Sequence, residues 1–406
     1  MRPLLLGLLV TLCIPTSAAA ATTPLSLPAL DDEIPRALAL SADRRGALVT
    51  QAGGDAGTQS VIAVPAGTRR SFPNTTVLDS VNRRDGGVDM LLRRGADRLM
   101  RAQLTLRRVM PSGRIYDLWS HDSAATVGAL ARGRDRTVTV WAERGGLRII
   151  TRPDGGLPTR RRDVPLGQPG TISLGLALDA RGRLSMAATT PRDGLVVAAL
   201  TRRGGVLRRQ VYRRASGLVE MVATPAGRVG VLVEDTGIEG DGGECVADGR
   251  GRHIRAVVRE RLAKRFGSLQ TIESPRFGCG SGGALLRATR QEGLTAIYQG
   301  GSYDRPPLLA RMAVARRGHR FSAPHTLLSD ARADTAVVTR DSELVIGLLR
   351  KTVQPEVFSG SLNVFHAPDA YVQVDTGPAF APLLALDAAG DDVLAWRTAG
   401  ELRIAR

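Results

Sequence analysis

The sequence predicts an all-β propeller of four-stranded antiparallel blades, eight in preference to seven, closed into a ring by its N- and C-terminal strands. Three observations predict it. Apolar runs flank a polar, usually glycine-bearing turn in "ALALSADRRGALVTQ", "LDSVNRRDGGVDMLL", "GALARGRDRTVTVWAE", "GLALDARGRLSMAA", "EMVATPAGRVGVLVE", "LLRATRQEGLTAIYQ", "AVVTRDSELVIGLL" and "LLALDAAGDDVLAW". A second kind of hairpin, with a tight basic turn as in "LVVAALTRRGGVLRRQVY", lies between them. The 3.6-residue period of an amphipathic helix is missing throughout.

The first hairpins turn near residues 45, 86, 134, 182, 227, 292, 342 and 390, one every 40 to 50 residues with a single interval of about 65. Two hairpins per period make four antiparallel strands, and four-stranded sheets repeated at that spacing mark a propeller. A β-helix repeats at a much shorter interval; tandem β-sandwiches are the remaining alternative. Alternation of Ile172, Leu174, Leu176 and Leu178 sets strand period in the fourth repeat. Trp141, Trp396 and, near the same column, Tyr298 read as packing between blades. The last repeat, from Ala379, shows two clear strands and a third, "GELRIAR"; its missing outer strand is expected from "TTPLSLPAL" near the N-terminus. Seven blades would follow if the irregular second repeat were not a full sheet.

The chain resembles the exported bacterial β-propellers of the broad TolB-like and WD40-like kind. The residues that carry this are the recurring D-x-x-G turns, Asp179–Gly182 and Asp387–Gly390, each followed by an apolar strand. There is no Trp-Asp dipeptide of the WD40 kind.

Residues 1–21, "MRPLLLGLLVTLCIPTSAAAA", read as a signal peptide: Arg2, an apolar stretch from Leu4 to Ile14, a breaking Pro15 and small residues for cleavage. The apolar stretch is too short to span a bilayer, which takes about 20 residues, and no later segment is long and apolar enough to do so. Residues 22–406 are then expected to form one secreted domain, periplasmic if the host has an outer membrane, and a monomer. Removing the signal peptide discards Cys13 and leaves Cys245 and Cys279. In an oxidising compartment that pair is expected to form one disulfide, stabilising the fold by about 3–4 kcal/mol in the chain-entropy account.

The chain is strongly basic, with 56 Lys and Arg against 39 Asp and Glu, and all but Lys264 and Lys351 of the cations are arginine. An anionic partner suits that balance. Nucleic acid is not expected, since no nucleic-acid-binding motif is visible. The partner is expected to be an anionic cell-surface polymer or another exported protein.

In a propeller blade the strands run A to D outward, so A–B and C–D turns share one face and B–C and D–A loops the other. Arginines crowd the first face: Arg44 and Arg45, Arg83 and Arg84, Arg132 and Arg134, Arg181 and Arg183 in A–B turns, and Arg69 and Arg70, Arg202 and Arg203, and Arg316 and Arg317 in C–D turns. Arg202, Arg203, Arg316 and Arg317 are the expected anion-binding set. The opposite face leans acidic. It is expected to carry "EDTGIEGDGGECVAD", Glu234 to Asp248, as a long insertion stapled by Cys245 to Cys279, and the His121–Asp122 pair in a D–A loop.

Chemical motifs are sparse. "CGSGG" around Ser281 has Cys279 where a nucleophile elbow needs glycine, and no strand-to-helix turn surrounds it. Sialidase-type turns and their R-I-P motif do not match. The 234–248 loop does not fit the EF-hand spacing; if calcium binds there, Asp235, Glu239, Asp241 and Glu244 supply its oxygens. No other cofactor and no catalytic residue is expected. The leading function is a non-enzymatic binding or scaffold protein; the competing one is a carbohydrate-active propeller, hydrolase or lyase, with acids at the channel mouth. Non-reducing peptide mapping of the exported protein should find a single cross-linked peptide joining Cys245 to Cys279. A full titration of two thiols on the folded protein would refute the disulfide.

Overall fold

In the computed structural model every regular element among the described residues is a strand, from Leu25 to Ala405. The structure describes residues 24–405 except 44, 54–56, 96–101, 124, 144–145, 159–161, 165–169, 202–204, 214, 216, 236–252, 274–283, 290–292, 303–304, 352–359 and 368–369. Among the described residues no helix is long and apolar enough to cross a membrane.

The strands form six four-stranded antiparallel sheets and one of seven strands. The seven-stranded sheet is two blades sharing one long strand, Ala370–Leu386. Its first part, to Ala379, pairs with Gly360–His366; from Phe380 onward it pairs with Asp392–Arg397 instead. The expected closure is present. Leu25–Pro28 lies antiparallel to Glu401–Ala405, with Leu25 opposite Ile404 and Leu27 opposite Leu402, so the N-terminal strand is the outermost of the last blade.

The innermost strands are Ile34–Leu40, Thr75–Asn82, Gly128–Arg132, Ser173–Leu178, Leu218–Ala223, Leu285–Ala288, Ala331–Val338 and the later part of Ala370–Leu386. Each touches the next, and the last returns to the first. Numbering blades by these strands gives eight. The second repeat, irregular in sequence, is a full sheet of four strands, Thr75–Asn82, Val88–Arg94, Gln103–Val109 and Ile115–Asp122.

The core lies between blades. Apolar clusters join each neighbouring pair: Met90 and Leu92 meet Val49 and Val61 across blades 1 and 2, and Leu38, Leu48 and Ile62 meet Val393, Leu402 and Ile404 across the closure. Trp141, Tyr298 and Trp396 are fully buried on the second strands of blades 3, 6 and 8, each against the preceding blade. The two indole N–H groups find carboxylates, Trp141 donating to Glu143 at 3.0 Å and Trp396 to Asp375 at 2.8 Å. Blades 4 and 5 approach one another closely at a glycine. A Cβ on Gly175 would lie 2.9 Å from both Val219 and Met221 of the next blade.

An innermost strand has no neighbour on its axial side, so part of its backbone needs partners outside its own ladder. Side chains of the preceding blade supply them. Leu130 N–H donates to Asp79 at 2.6 Å, Val219 to Ser173 at 3.1 Å, Leu286 to Glu220 at 2.7 Å and Leu384 to Thr335 at 2.9 Å. Burial pushes the Asp79 carboxyl up to about 7 although Leu130 and Ser80 donate to it. The charge of Glu220, three blades away, adds to that rise; both carboxylates accept from innermost strands.

Two outcomes follow. Leu27 is 4% exposed within the closing cluster, so Leu27→Ala should lower the unfolding free energy by about 2–4 kcal/mol in urea titrations. An unchanged midpoint would mean that packing of the Leu27 side chain in the closing cluster contributes nothing to the ring. Asp79 titrates near 3.9 when unfolded and near 7 in the ring, so the folded state alone holds the proton between those values. Its contribution to stability is therefore full at about pH 4 and is lost as pH rises toward about 7. In Asp79→Asn that loss should be missing: the stability difference between variant and parent should grow in the variant's favour across this window.

Candidate basic docking face

The A–B turns are nearly uniform. Seven of the eight gaps between the first and second strands hold five residues, and the turn of blade 3, Gly133–Asp135, holds three. In the five-residue turns the first N–H donates to the fifth carbonyl, as from Asp179 to Arg183 at 3.1 Å, Thr224 to Arg228 at 2.8 Å, Thr339 to Glu343 at 2.9 Å and Asp387 to Asp391 at 2.9 Å. The first side chain caps the turn: Asp387 Oδ1 accepts from the N–H groups of Ala389, Gly390 and Asp391, and Asp179 Oδ1 from those of Arg181 and Arg183. That is the physical content of D-x-x-G: a carboxylate or hydroxyl to cap, then a glycine at positive φ, 71° at Gly182 and 88° at Gly390.

These turns also hold one another. Ala388 N–H donates to Leu40 across the closure at 2.9 Å, and Arg340 N–H to Gly390 at 3.1 Å. A Cβ on Gly390 would sit 2.7 Å from that of Arg340. Together they frame a cavity of about 530 Å³ at the mouth of the channel, lined by Asn82, Arg84, Thr339, Arg340, Asp387 and Gly390 among others. Among the described residues that line it Asp387 is the carboxylate, and one oxygen of that group is the turn cap already described.

The arginine pairs of this face divide. Arg83 reaches Asp85 at 2.9 Å and Asp89 and Asp154 at 3.4 Å; Arg132 pairs with Asp154; Arg183 pairs with Asp179 at 2.6 Å. Their companions Arg84, Arg134 and Arg181 are exposed, as is Arg45. Asp154 collects three guanidinium groups, Arg108 being the third at 3.6 Å. The hydrogen bond from Arg132, with the charges of Arg132 and Arg83, holds its carboxyl at about 2 against the opposing effect of burial.

The C–D connections differ from blade to blade. They hold four, five, eight, five, ten, nine and three residues in blades 1 to 7. The two longest, between Arg259 and Gln270 and between Ala315 and His325, are tied together by Arg228. This arginine is 2% exposed and donates to Glu260 at 2.9 Å, Ala315 O at 2.6 Å, Arg316 O at 3.1 Å and Gly318 O. Gln270 and Phe321 exchange a second pair of bonds, at 3.1 and 2.8 Å. The two turns thereby present Arg261, Lys264, Arg265, Arg316, Arg317 and Arg320, all exposed. Glu260, the carboxylate nearest them in sequence, is the one bound to Arg228.

Of the expected anion-binding set, Arg316 and Arg317 are among these exposed residues; Arg202 and Arg203 lie outside the described residues. So do the expected signal peptide, Cys245, Cys279, Glu239, Asp241 and Glu244. Asp235 is the last residue of the strand Val229–Asp235. His121 is not in a loop: it pairs with Leu104 near the end of Ile115–Asp122. Its ring lies 5.7 Å from that of Trp141, and its Nε2 is 3.8 Å from Glu143. Burial raises the Glu143 carboxyl, but bonds from Trp141 and Ser123 and the charges of Arg148 and His121 bring it below its usual value. The sequence reading missed Arg228. Its signal is positional: it ends an A–B turn, as Arg183 does, and so points back beneath the face.

No model of a known protein family and no curated protein matches the chain. Among solved structures it is similar to one titled as a eukaryotic initiation factor, at 11% identity over 95% of this chain and 92% of that one, with a TM-score of 0.48. A prolyl endopeptidase structure is matched at 12% identity over 92% of this chain and 54% of that one, with a TM-score of 0.45. A gluconolactonase from Xanthomonas campestris is matched at 16% identity over 75% and 89%, with a TM-score of 0.36. Similarity at this level carries no inference about ligand or reaction.

Proposed function

We propose that the chain is an exported, non-enzymatic binding or scaffold protein, a propeller of the TolB-like and WD40-like kind, whose basic face docks on an anionic cell-surface polymer. The observation that supports this is the exposed cluster of Arg261, Lys264, Arg265, Arg316, Arg317 and Arg320, displayed by two turns that buried Arg228 fixes in place. Glu260, the carboxylate nearest that cluster in sequence, is bonded to Arg228. A polyanion would meet a rigid array of cations and release its counterions, giving attraction that salt screens within about 8 Å at physiological ionic strength. The acidic loop of residues 234–248, stapled by Cys245 and Cys279, is left for a second exported partner.

The hydrolase or lyase reading needs two carboxyl groups facing one another, about 5–10 Å apart. Asp387, at the cavity mouth, has one oxygen engaged in capping its own turn, so no feature described above favours that reading.

Retention on resin carrying anionic cell-wall polymer should fall steeply as salt rises. Arg316→Glu with Arg317→Glu should weaken it on the order of tenfold at low salt, since two attractions become two repulsions of a few tenths of a kcal/mol each. If the doubly substituted protein is retained like the parent, this face only keeps the protein in solution.

A further inference from the structure

Three leucines stand out of the same face, and a hydrated polymer gives them nothing to do. Leu157 is 86% exposed, Leu262 82% and Leu207 62%. Leu157 and Leu262 lie in the C–D connections of blades 3 and 5, and Leu207 is the second residue of the outer strand that follows the connection of blade 4. Leu157 follows the turn in which Gly156 N–H donates to Pro153 at 3.3 Å. Leu262 is at the tip of the turn closed by Ala263 N–H to Glu260 at 3.0 Å, between Arg261 and Lys264. Leu207 is the extra residue of a β-bulge: Leu200 pairs with Val206 and Ala199 with Arg208, so Leu207 has no opposite number. A bulge re-aims a side chain out of its ladder, and exposed Arg208 stands beside it.

Scattered surface leucines are ordinary. One per blade, on three successive blades and at the same end, with exposed Arg208 beside Leu207 and exposed Arg261 and Lys264 flanking Leu262, is a pattern. We propose that this rim docks on an anionic lipid bilayer, with the cations meeting the headgroups and Leu157, Leu207 and Leu262 entering the boundary between headgroups and acyl chains. The proposal rests on the basic face being a docking surface and names a partner for its apolar part. Charge complementarity chooses the occupant. A protein partner would need one continuous apolar patch to bury, whereas separate leucines with basic neighbours suit an interface that is anionic outside and apolar just beneath. Neither element suffices alone: a few exposed cations bind reversibly, as do a few shallow side chains, and the two together give an attachment that salt loosens without abolishing.

The test is sedimentation of the full exported chain with vesicles of phosphatidylcholine alone or mixed with phosphatidylglycerol. Binding should require phosphatidylglycerol. Leu157→Ala, Leu207→Ala and Leu262→Ala together should weaken it by about tenfold or more, with retention on the polymer resin and the thermal midpoint unchanged. A Leu262→Trp protein should show blue-shifted emission on adding anionic vesicles. If the triple variant binds vesicles like the parent, or the parent binds polymer and no vesicle, the bilayer proposal is overturned while the polymer reading stands. If Arg316→Glu with Arg317→Glu alters neither binding, the docking reading of the face fails, and the bilayer proposal with it.

Discussion

The free axial edge of each innermost strand is the constraint on which the rest of this fold depends. A sheet that ends in solvent can leave its edge to water, but eight edges crowded around one axis must find partners in one another. Asp79, Ser173, Glu220 and Thr335 do this by accepting from the next blade's backbone. The arrangement fixes the stagger between blades, and the stagger fixes which side chains interleave behind it. Arg287 extends the same logic, donating to Ala336 O at 2.6 Å while bonded to Glu220 at 3.0 Å. A ring held this way has to close, and Leu25–Pro28 closes it.

Closure also explains why the two kinds of turn on one face behave differently. A–B turns lie near the axis, where each is within reach of its neighbour, as the bonds from Ala388 to Leu40 and from Arg340 to Gly390 show. Little change in length is tolerated there, and seven of eight hold five residues. C–D connections lie at the circumference, where blades have diverged, and their lengths run from three to ten residues. The same geometry sorts the arginines. Those near a carboxylate of their own or a neighbouring blade, such as Arg83, Arg132 and Arg228, turn inward and tie strands together. Those at turn tips face solvent.

Much of the architecture was legible in the sequence because it repeats. Each hairpin is a weak signal, but eight at one spacing are not, and the matched columns of Trp141, Tyr298 and Trp396 turned out to be packing between blades as expected. The closing strand was legible because the last repeat lacked one. What could not be read was the fate of individual arginines. Arg107 and Arg108 are adjacent and identical in type, yet strand alternation sends Arg107 to Asp117 and Gln59 and Arg108 to Asp89. Telling them apart requires knowing which face of the strand meets which blade. His121 was misplaced for a related reason: "WSHDSA" is polar enough to read as loop, but the outermost strand of a blade packs on one side only, so polar residues are tolerated along it.

The division between a uniform inner ring of turns and a variable outer one bears on where function can reside. Turns that lock one another cannot move or lengthen without disturbing the ring, so the channel mouth is a rigid frame. The circumference carries no such burden. A loop there can gain residues, a bulge or an exposed leucine at little cost to stability, since surface substitutions of this kind stay within about half a kcal/mol. The exposed cations and leucines of blades 3 to 6 stand on the parts of the chain that the fold leaves free. Buried Arg228 is the exception that supports the rule: where two long connections do need a fixed relation, a single guanidinium supplies it, and the six cations around it are held in register because of that contact.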